Sequence, residues 1–450
     1  MAKYFGTDGF RGEANVGLTT MHAYKIGKFL AWHYGQEHKA KIVIGKDTRR
    51  SSYMFEAALT AGITAAGGDA YALHVTTTPS VSYVARTEDF DCGIMISASH
   101  NAFQDNGIKL LNGLGEKMED AVIDAVEEYI DRPSDDIPYT TGSAIGSIID
   151  YAAGRNRYIG NLISLSTKSF RGVRVGLDCA NGSTWQIAKS VFDALGADTF
   201  VINNRPSGVN INKDCGSTHM EHLCAYVKDE GLDIGFAFDG DADRCLAVDE
   251  TGAVVDGDKI LYLCAQNLKE KGTLGNTKVV TTVMSNLGLY KALDEAGIGY
   301  ETTAVGDKYV YENMAENGHL IGGEQSGHII FRKHATTGDG LITAIKVMQA
   351  MLEKKLPLSQ IAAPVVVYPQ VLKNVLVADK DSAMEDPAVQ AAVREAAQRL
   401  AGAGRILLRK SGTESLLRVM AEAPTREGCE EIVDFIIDAM RARELLIDVT

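Results

Sequence analysis

Short runs of branched aliphatic residues recur along this chain, and each run is followed by polar residues, an amphipathic stretch and a glycine turn. The runs begin at Lys41, Val173 and Val279, and the amphipathic stretches that follow them end near Gly67, Gly196 and Gly297. Strands that are buried on both faces read as continuous apolar runs, and glycine commonly follows the end of a helix. The pattern therefore predicts three copies of one α/β unit.

A second apolar strand follows each unit and leads into a polar, glycine-rich loop. The three loops are Ser97–Asn101, Asp239–Arg244 and Gly323–His328. In α/β sheets, ligands bind most often at the loops that follow strand ends. Three copies with three chemically different loops indicate three domains that face one cleft.

The last 80 or so residues break this pattern. They read as a helix, two strands and a helix, at about Pro387–Ala401, Arg405–Arg409, Leu416–Glu422 and Arg426–Ala442. This order predicts a small α+β domain. Turn residues and prolines between the periodic segments place the domains at residues 1–150, 151–253, 254–366 and 367–450.

Length, charge and cysteine content limit the number of domains, the partners and the cellular compartment that can be expected. A chain of 450 residues is too long for one compact core, and its net charge of -14 disfavours nucleic acid and anionic membrane as partners. Seven cysteines without a C-x-x-C pair are typical of reduced thiols. Neither a signal peptide nor a long apolar run is visible, so we expect a cytoplasmic protein, monomeric or homodimeric, without a membrane span.

Three aspartates, Asp239, Asp241 and Asp243, alternate in one short loop after an apolar strand. Carboxylate oxygens in this arrangement are ligands for a hard cation, and few ligands from one loop suit Mg²⁺ better than Ca²⁺. An EF-hand would use Glu250 at position twelve, but Arg244 occupies the position where that loop needs glycine. The remaining alternative to a metal site is a solvated acidic turn.

Ser99 lies in a dense polar segment directly after the strand that ends at Ile96. The hydrogen-bonding or small residues of this segment are Ser97, Ser99, His100, Asn101, Asp105, Asn106, Gly107 and Lys109. So many polar groups at the end of a buried strand cost free energy unless they are hydrogen-bonded, which indicates that a ligand binds there. The chain has neither G-x-S-x-G nor G-x-x-x-x-G-K-[ST], so neither an esterase nor an ATP-binding P-loop is expected.

A segment near the C-terminus has the composition of a phosphate clamp. Its candidate ligands are Arg409, Ser411, Gly412, Thr413 and Arg418. Guanidinium groups, hydroxyls and a glycine that exposes backbone N–H groups suit a phosphate. A charged hairpin loop is the alternative. Near the N-terminus, Arg11 stands among glycines in the segment Gly6–Gly12.

Together these segments resemble the α-D-phosphohexomutase family along essentially the whole chain. In the order of the family, its phosphoserine, metal, sugar and phosphate loops match Ser97–Asn101, Asp239–Arg244, Gly323–His328 and Arg409–Arg418. The resemblance implies three similar α/β three-layer domains and a C-terminal α+β domain, like the TATA-binding-protein fold, around a central cleft. Proline is usual in the family where Ala102 and Ser415 stand, and its absence reduces loop rigidity.

The resemblance also implies a magnesium-dependent isomerase that moves a phosphoryl group on a hexose phosphate through phosphorylated Ser99, with a hexose or hexosamine 1,6-bisphosphate as priming intermediate. The implied catalytic residues are Arg11, Ser99, His100, Lys109 and Arg244. The implied metal ligands are Ser99 through its phosphoryl group, Asp239, Asp241 and Asp243. The implied substrate ligands are Glu324, Ser326, His328, Arg409, Ser411, Gly412, Thr413 and Arg418.

Tyr4–Gly12 and Gln325 are most similar to the bacterial branch that interconverts glucosamine 6-phosphate and glucosamine 1-phosphate for amino-sugar and peptidoglycan-precursor synthesis. Members acting on mannose and glucose phosphates more often have methionine at position 325, and that activity is the first alternative. A non-catalytic sugar-phosphate or metal-binding protein with the same fold is the second. The histidines are as compatible with a hydrogen-bonding scaffold as with proton transfer.

Overall fold

The N-terminal sheet is built around parallel strands with helices on both faces. The computed structural model describes residues 3–411 and 416–449. The first strands are Phe5–Gly6 (β1), Gly9–Glu13 (β2), Lys41–Lys46 (β3), Asp69–Val75 (β4), Cys92–Ile96 (β5), Asp105–Asn112 (β6) and Ile148–Asp150 (β7), in the sheet order β1-β2-β6-β5-β3-β4-β7. The helices are Thr20–Tyr34 (α1), Arg50–Ala65 (α2), Thr78–Thr87 (α3) and Asp120–Asp131 (α4).

Strand β3 shows why this sheet has two covered faces. Its side chains alternate between the faces because successive residues of a strand point in opposite directions. Ile42 and Ile44 pack into the cluster formed with α1, α2 and α4, whereas Val43 packs into the cluster formed with α3. Both clusters are apolar, which is why the strand reads as a continuous apolar run. The predicted three-layer α/β class is confirmed here.

The second and third sheets repeat the strand order of the first. The elements of the second are Ala152–Ser164 (α5), Arg174–Asp178 (β8), Ile187–Ala194 (α6), Asp198–Ile202 (β9), Glu221–Glu230 (α7), Ile234–Phe238 (β10), Cys245–Asp249 (β11) and Val254–Val255 (β12). The elements around the third are Gly257–Glu270 (α8), Val279–Thr282 (β13), Leu287–Glu295 (α9), Tyr300–Thr303 (β14), Asp307–Asn317 (α10), Ile321–Gly323 (β15), Ile329–Phe331 (β16), Gly340–Lys354 (α11) and Leu358–Ala362 (α12). The sheet orders are β12-β11-β10-β8-β9 and β14-β13-β15-β16.

Each of the three sheets therefore contains the same four-strand unit. Three parallel strands are followed by a fourth that returns antiparallel beside the third, as β6 does beside β5, β11 beside β10 and β16 beside β15. The connection between the third and fourth strands is the segment that the sequence marks as chemically distinctive. The predicted internal repeat is present, and it puts one candidate loop at the equivalent position of each copy.

The C-terminal sheet is antiparallel, and it contains the predicted helix-strand-strand-helix order together with elements that the sequence did not predict. Its elements are Gln370–Val377 (β17), Lys380–Glu385 (α13), Pro387–Leu400 (α14), Arg405–Lys410 (β18), Leu416–Glu422 (β19), Arg426–Ala442 (α15) and Leu446–Val449 (β20), in the sheet order β18-β19-β17-β20. The predicted helices and the two middle strands exist, but β17, α13 and β20 were not predicted. The α+β class itself is confirmed.

The chain forms two compact units, residues 1–282 with 298–363 and residues 283–297 with 364–450. Helix α9, which the sequence pattern assigns to the third α/β copy, belongs to the second unit with the C-terminal sheet. The four domain boundaries given above stay predictions. In the part of the chain that the structure describes, no helix is both long and apolar enough to cross a bilayer.

Candidate active site

The loops after β5, β10 and β15 meet in the first unit. We name them the Ser99 loop (residues 97–104), the aspartate loop (residues 239–244) and the Glu324 loop (residues 324–328). Ser99 Oγ donates a hydrogen bond of 2.6 Å to Asp239 Oδ2. His328 Nδ1 lies 3.8 Å from Asp243 Oδ1. The structure thus brings together the three segments that the sequence singled out, across more than two hundred residues of chain.

The aspartate loop concentrates negative charge in a buried place. Asp239, Asp241 and Asp243 are all buried, and one carboxylate oxygen from each lies within 4.8 Å of the others. Among the described residues, Oδ1 of Asp241 and Oδ1 of Asp243 have no hydrogen-bond partner. Burial, together with repulsion from Asp243 and Asp241, raises the pKa of Asp239 well above its usual value. Buried, partly unsatisfied carboxylates in this arrangement fit a hard metal cation.

Lys109, on β6, neutralises part of this charge. Its Nζ lies 2.8 Å from Asp241 Oδ2, 3.1 Å from Asp243 Oδ2 and 3.2 Å from Asp8 Oδ1. Burial disfavours the ammonium, but the attraction of these carboxylates is stronger and holds the pKa of Lys109 well above its usual value. One ammonium cannot balance three aspartates, so the loop still has capacity for a divalent cation.

Ser99 is held in an unusual backbone conformation next to a neutral histidine. Its φ is 51°, in the left-handed region, and its N–H donates to Ser97 Oγ at 2.9 Å. His100 Nδ1 lies 3.3 Å from Ser99 Oγ and accepts from Arg244 Nη1 at 3.1 Å. Burial, Arg244 and Arg11 lower the pKa of His100 to about 4. His100 is therefore uncharged near neutral pH, the form in which Nδ1 can accept from Arg244.

Two arginines border the Ser99 and aspartate loops and keep unused donors. Arg11 pairs with Asp8 and donates from Nη1 to Asn101 Oδ1 at 3.3 Å. The backbone N–H of Arg244 donates to Asp239 Oδ1 at 3.2 Å. Nε of both arginines is buried without a partner among the residues described. Unused guanidinium donors beside a serine hydroxyl are suited to an anionic group.

The Glu324 loop combines a fixed backbone with free polar atoms. Glu324 Oε1 accepts from Gly306 N at 3.3 Å, and His328 Nε2 accepts from Gly338 N at 3.0 Å. Ser326 Oγ is buried and has no partner in the described part of the chain. Gln325, one of the two features on which the sugar preference was based, donates from Nε2 to Asp256 Oδ2 at 3.2 Å. In this structure its side chain supports the loop.

A cavity of about 720 Å³ opens beside these residues. Its lining includes Asp8, Lys109, Asp243, Lys308 and His328. This volume lies in the range of small-molecule sites. Its lining carries both acidic and basic side chains, which suits a ligand with charged and hydrogen-bonding groups.

In the second unit, two arginines face each other across neighbouring strands. Arg409 on β18 is directly opposite Arg418 on β19. Burial and the charge of Arg418 lower the pKa of Arg409. Like charges in this position are unfavourable unless an anion lies between or beside them, which supports the predicted phosphate site. Ser411 is buried, while Gly412 and Thr413 lie outside the described residues.

Sequence reasoning missed several residues that hold this site. Thr78, at the start of α3, donates from Oγ1 to Asp241 Oδ2, and its N–H donates to Asp241 O at 3.0 Å. Asp8 pairs with both Arg11 and Lys109. Asp47 and Arg49, which follow β3, bind the Ser99 loop. Only the polar run after β3 and the segment Gly6–Gly12 were visible as signals, because the contacts of Thr78 with Asp241 and of Asp8 with Lys109 join distant parts of the chain.

Four family models match the chain in succession. The models of phosphoglucomutase/phosphomannomutase α/β/α domains I, II and III match residues 2–136, 156–252 and 256–368, and the model of the C-terminal domain matches residues 372–439. Among similar proteins, the phosphoglucosamine mutase of Lachnospira eligens is 64% identical over 446 residues, covering 98% of this chain and 99% of that protein. The phosphoglucosamine mutase of Bacillus subtilis is 47% identical over 443 residues, with coverages of 98% and 99%.

Solved structures show the same fold at lower identity. A phosphoglucomutase/phosphomannomutase family protein of Burkholderia thailandensis has a TM-score of 0.81 at 23% identity, covering 99% of this chain and 98% of that one. Aspergillus fumigatus N-acetylphosphoglucosamine mutase, in complex with GlcNAc-6P and magnesium, has a TM-score of 0.71 at 18% identity, with coverages of 98% and 96%. From the four successive models and the full-length relatives, we conclude that the chain belongs to the phosphoglucomutase/phosphomannomutase family.

Proposed function

We propose that the protein is a phosphoglucosamine mutase that interconverts glucosamine 6-phosphate and glucosamine 1-phosphate, with Ser99 as the phosphoryl carrier. The observation that carries this proposal is the 2.6 Å contact of Ser99 Oγ with Asp239 inside a cluster of metal-type carboxylates. The full-length relatives at 64% and 47% identity are named for this activity. They support the amino-sugar substrate over the mannose and glucose phosphates.

Asp239, Asp241 and Asp243, with an oxygen of the phosphoryl group on Ser99, would hold Mg²⁺. The unsatisfied Oδ1 atoms of Asp241 and Asp243 support this assignment. A bound Mg²⁺ would neutralise negative charge on the transferring phosphoryl group. Mg²⁺ is preferred because three carboxylates and a phosphate oxygen leave places for water, whereas Ca²⁺ usually takes more protein ligands.

The reaction consists of two opposite transfers. In the first, the bond between Ser99 Oγ and phosphorus breaks as O1 of glucosamine 6-phosphate bonds to phosphorus; O1 loses its proton and Ser99 Oγ takes one up. The resulting 1,6-bisphosphate turns in the site. In the second transfer, its 6-phosphoryl group bonds to Ser99 Oγ, which loses its proton, and O6 takes up a proton as its bond to phosphorus breaks. A 1,6-bisphosphate supplied from outside primes an unphosphorylated enzyme by this second transfer.

Arg11 and Lys109 are the candidates for proton transfer and for charge stabilisation. The pairing of both side chains with Asp8 supports a shared role. Lys109 stays protonated among the carboxylates, which favours charge stabilisation for it. Arg244 is the third cation next to Ser99, and His100 orients Arg244 through their hydrogen bond.

Two further sets of residues would bind the substrate. Glu324, Ser326 and His328 are proposed to bind the sugar hydroxyls, since Ser326 Oγ is an unused buried hydroxyl. The proposed ligands of the phosphate that is not reacting are Arg409, Ser411, Gly412, Thr413 and Arg418. The enzyme would act in the cytoplasm, where this reaction supplies a 1-phosphate for nucleotide-sugar synthesis.

The test compares kcat/KM on glucosamine 6-phosphate, glucose 6-phosphate and mannose 6-phosphate, together with intact-mass analysis. We expect the highest value on glucosamine 6-phosphate and a phosphoryl adduct that Ser99→Ala lacks. Ser164→Ala changes an exposed serine of α5 and serves as the matched control. A higher kcat/KM on mannose 6-phosphate would move the assignment to the phosphomannomutases. Wild-type turnover by Ser99→Ala would refute the covalent carrier.

A further inference from the structure

Every side-chain N–H donor of Arg49 is used, either by the carboxylate of Asp47 or by backbone carbonyls in and next to the Ser99 loop. Arg49 and Asp47 are both fully buried, and Arg49 Nε lies 2.7 Å from Asp47 Oδ2. Nη2 donates to Ser99 O at 3.0 Å and to Asn101 O at 2.9 Å. Nη1 donates to Asp105 O at 3.0 Å and to Ala102 O. The five N–H donors of a guanidinium are thereby all used, and four of them bind carbonyls in or next to the Ser99 loop.

Asp47 holds the backbone N–H of Ser99 through the hydroxyl of Ser97. Asp47 Oδ2 accepts from Ser97 Oγ at 2.7 Å, and Ser97 Oγ in turn accepts from Ser99 N at 2.9 Å. The carbonyl of Ser99 is bound by Arg49 and its N–H is bound through Ser97 to Asp47. Both backbone polar groups of Ser99 therefore depend on the Asp47–Arg49 pair.

This network has a specific conformational task. Ser99 has φ 51°, and a residue with a Cβ adopts that region at an energetic cost that its surroundings must offset. From the segment between β9 and α7, Asn212 Nδ2 donates to the same two carbonyls, Ser99 O at 2.8 Å and Asn101 O at 2.9 Å. In this conformation Ser99 Oγ reaches Asp239. Another φ would turn the hydroxyl away from the aspartate loop.

We propose that Arg49 is a positioning residue for phosphoryl transfer: with Asp47 it holds Ser99 in the left-handed conformation that directs Oγ to the aspartate loop. Arg49 contacts neither sugar nor phosphate, and it acts through the backbone of Ser99. The inference rests on the proposed function, in which Ser99 carries the phosphoryl group. A purely structural ion pair is the competing explanation, and it predicts that activity falls only as far as stability does.

Arg49→Lys is the informative substitution. It keeps the positive charge against the buried Asp47 carboxylate, but three ammonium donors replace five in a different geometry. The Ser99 loop would lose at least two of its four carbonyl contacts to residue 49. A displacement of about 1 Å at a reacting atom lowers the rate about 100-fold. We expect kcat to fall by about that factor, with KM within about threefold of wild type because the substrate-binding groups stay in place.

The matched control is a buried lysine of α1, whose carboxylate partner lies in the exposed segment after α4. Lys28 on α1 is fully buried, and its Nζ lies 2.6 Å from Asp135 Oδ2. Neither residue belongs to the Ser99 loop. Lys28→Met should lower Tm at least as much as Arg49→Lys does, with kcat within about twofold of wild type. Equal losses of kcat at equal Tm in both variants would overturn the positioning role.

The assay follows phosphoryl uptake directly. Dephosphorylated protein is mixed with glucose 1,6-bisphosphate, and the rate of Ser99 phosphorylation is measured by intact mass beside steady-state kcat and KM on glucosamine 6-phosphate. We expect Arg49→Lys to slow both phosphorylation and kcat by about 100-fold. If Arg49→Lys does not fold, Asn212→Ala removes donors to the same carbonyls from the other side and should lower kcat at unchanged KM. Wild-type rates in the folded variant overturn the proposal.

Wild-type protein separates this inference from the function on which it rests. If wild type takes up phosphate from the bisphosphate but does not convert glucosamine 6-phosphate, the sugar assignment fails, and Arg49→Lys is still judged by the phosphorylation rate. If wild type takes up no phosphate, the proposed function and the positioning role fail together. If wild type reacts at both steps and Arg49→Lys matches it, only the positioning role fails.

Discussion

Gly240 lies so close to the Ser99 loop that a single added carbon atom tests whether the two loops must meet where they do. A Cβ at Gly240 would lie 2.5 Å from Ser99 O, 2.9 Å from Ile211 Cδ1 and 3.0 Å from Asn212 Nδ2. Ordinary contact begins near 3.4 Å, so Gly240→Ala forces the loops apart by about 0.9 Å. Ser99 O cannot yield freely because Arg49 and Asn212 bind it.

The expected loss follows from that displacement. A misplacement of about 1 Å costs about 100-fold in rate, which corresponds to about 2.7 kcal/mol in the barrier. Overpacking should also lower the free energy of unfolding by about 1–3 kcal/mol. We therefore expect kcat of Gly240→Ala to fall about 100-fold at 25 °C with little change in KM, while the protein stays folded.

Gly160→Ala is the control for this substitution. Gly160 lies within α5, and a Cβ there would meet no atom within 4 Å. Alanine is favoured over glycine in a helix by about 0.5–1 kcal/mol, so this variant should be slightly more stable than wild type and equally active. Steady-state kinetics and thermal unfolding of the two variants, measured side by side, decide the matter. A Gly240→Ala enzyme with wild-type kcat would show that the distance between the two loops is unimportant for transfer.

Three further predictions concern the metal, the distal phosphate and a histidine. Chelation or Asp241→Asn should abolish turnover, and added Mg²⁺ should restore only the chelated wild type; normal rates without metal would make the aspartates structural. Arg418→Ala and Arg409→Ala should each raise KM and lower kcat/KM by a factor that corresponds to about 1.5–3 kcal/mol. If KM and kcat are unchanged in both variants, this segment is a charged hairpin and does not bind the phosphate. Because the folded-state pKa of His100, about 4, lies below its unfolded value, stability from the neutral ring is complete above pH 6.5 and is lost as pH falls toward 4. When the pH is lowered from 7 to 5, the Tm of His100→Gln should therefore fall by less than the Tm of wild type. An equal fall in both proteins would contradict the assignment of an uncharged His100 ring in the folded state.

The sequence predicted the candidate loops well because each carries its chemistry in consecutive residues. Asp239, Asp241 and Asp243 follow a buried strand within five positions, so their proximity depends on local geometry alone. The supporting residues were missed because their partners are far away in the chain. Arg49 and Ser99 are separated by 50 residues, and Thr78 and Asp241 by 163. No local pattern indicates which of many polar side chains meets such a partner.

The unpredicted strands of the C-terminal sheet have a different cause. The buried aliphatic residues of β17 are Val371, Val375 and Val377, which share one face of the strand, but Lys373 interrupts that face and the leucines Leu372 and Leu376 lie exposed on the other. Apolar residues therefore stand on both faces of β17, so its sequence lacks the apolar-polar alternation that marks a half-buried strand. Strand β20 has only four residues, none of them buried. Its place in the sheet is set by tertiary pairing, which periodicity does not record.

The repeated hairpin has a consequence for how this enzyme can change. The Ser99, aspartate and Glu324 loops, to which we assign the carrier, the metal ligands and the sugar contacts, occupy equivalent hairpins in three copies of one unit, and each hairpin is anchored by the strand pairing of its own sheet. Residues 324–326 take no part in the pairing of β5 with β6 or of β10 with β11, whereas Gly327 O accepts from Cys245 N of β11 and His328 lies beside Asp243. On the proposed assignment, substrate choice and phosphoryl transfer can therefore change independently of each other in evolution. A descendant can acquire a new sugar by altering residues 324–326 while it keeps the phosphorylation chemistry of its ancestor.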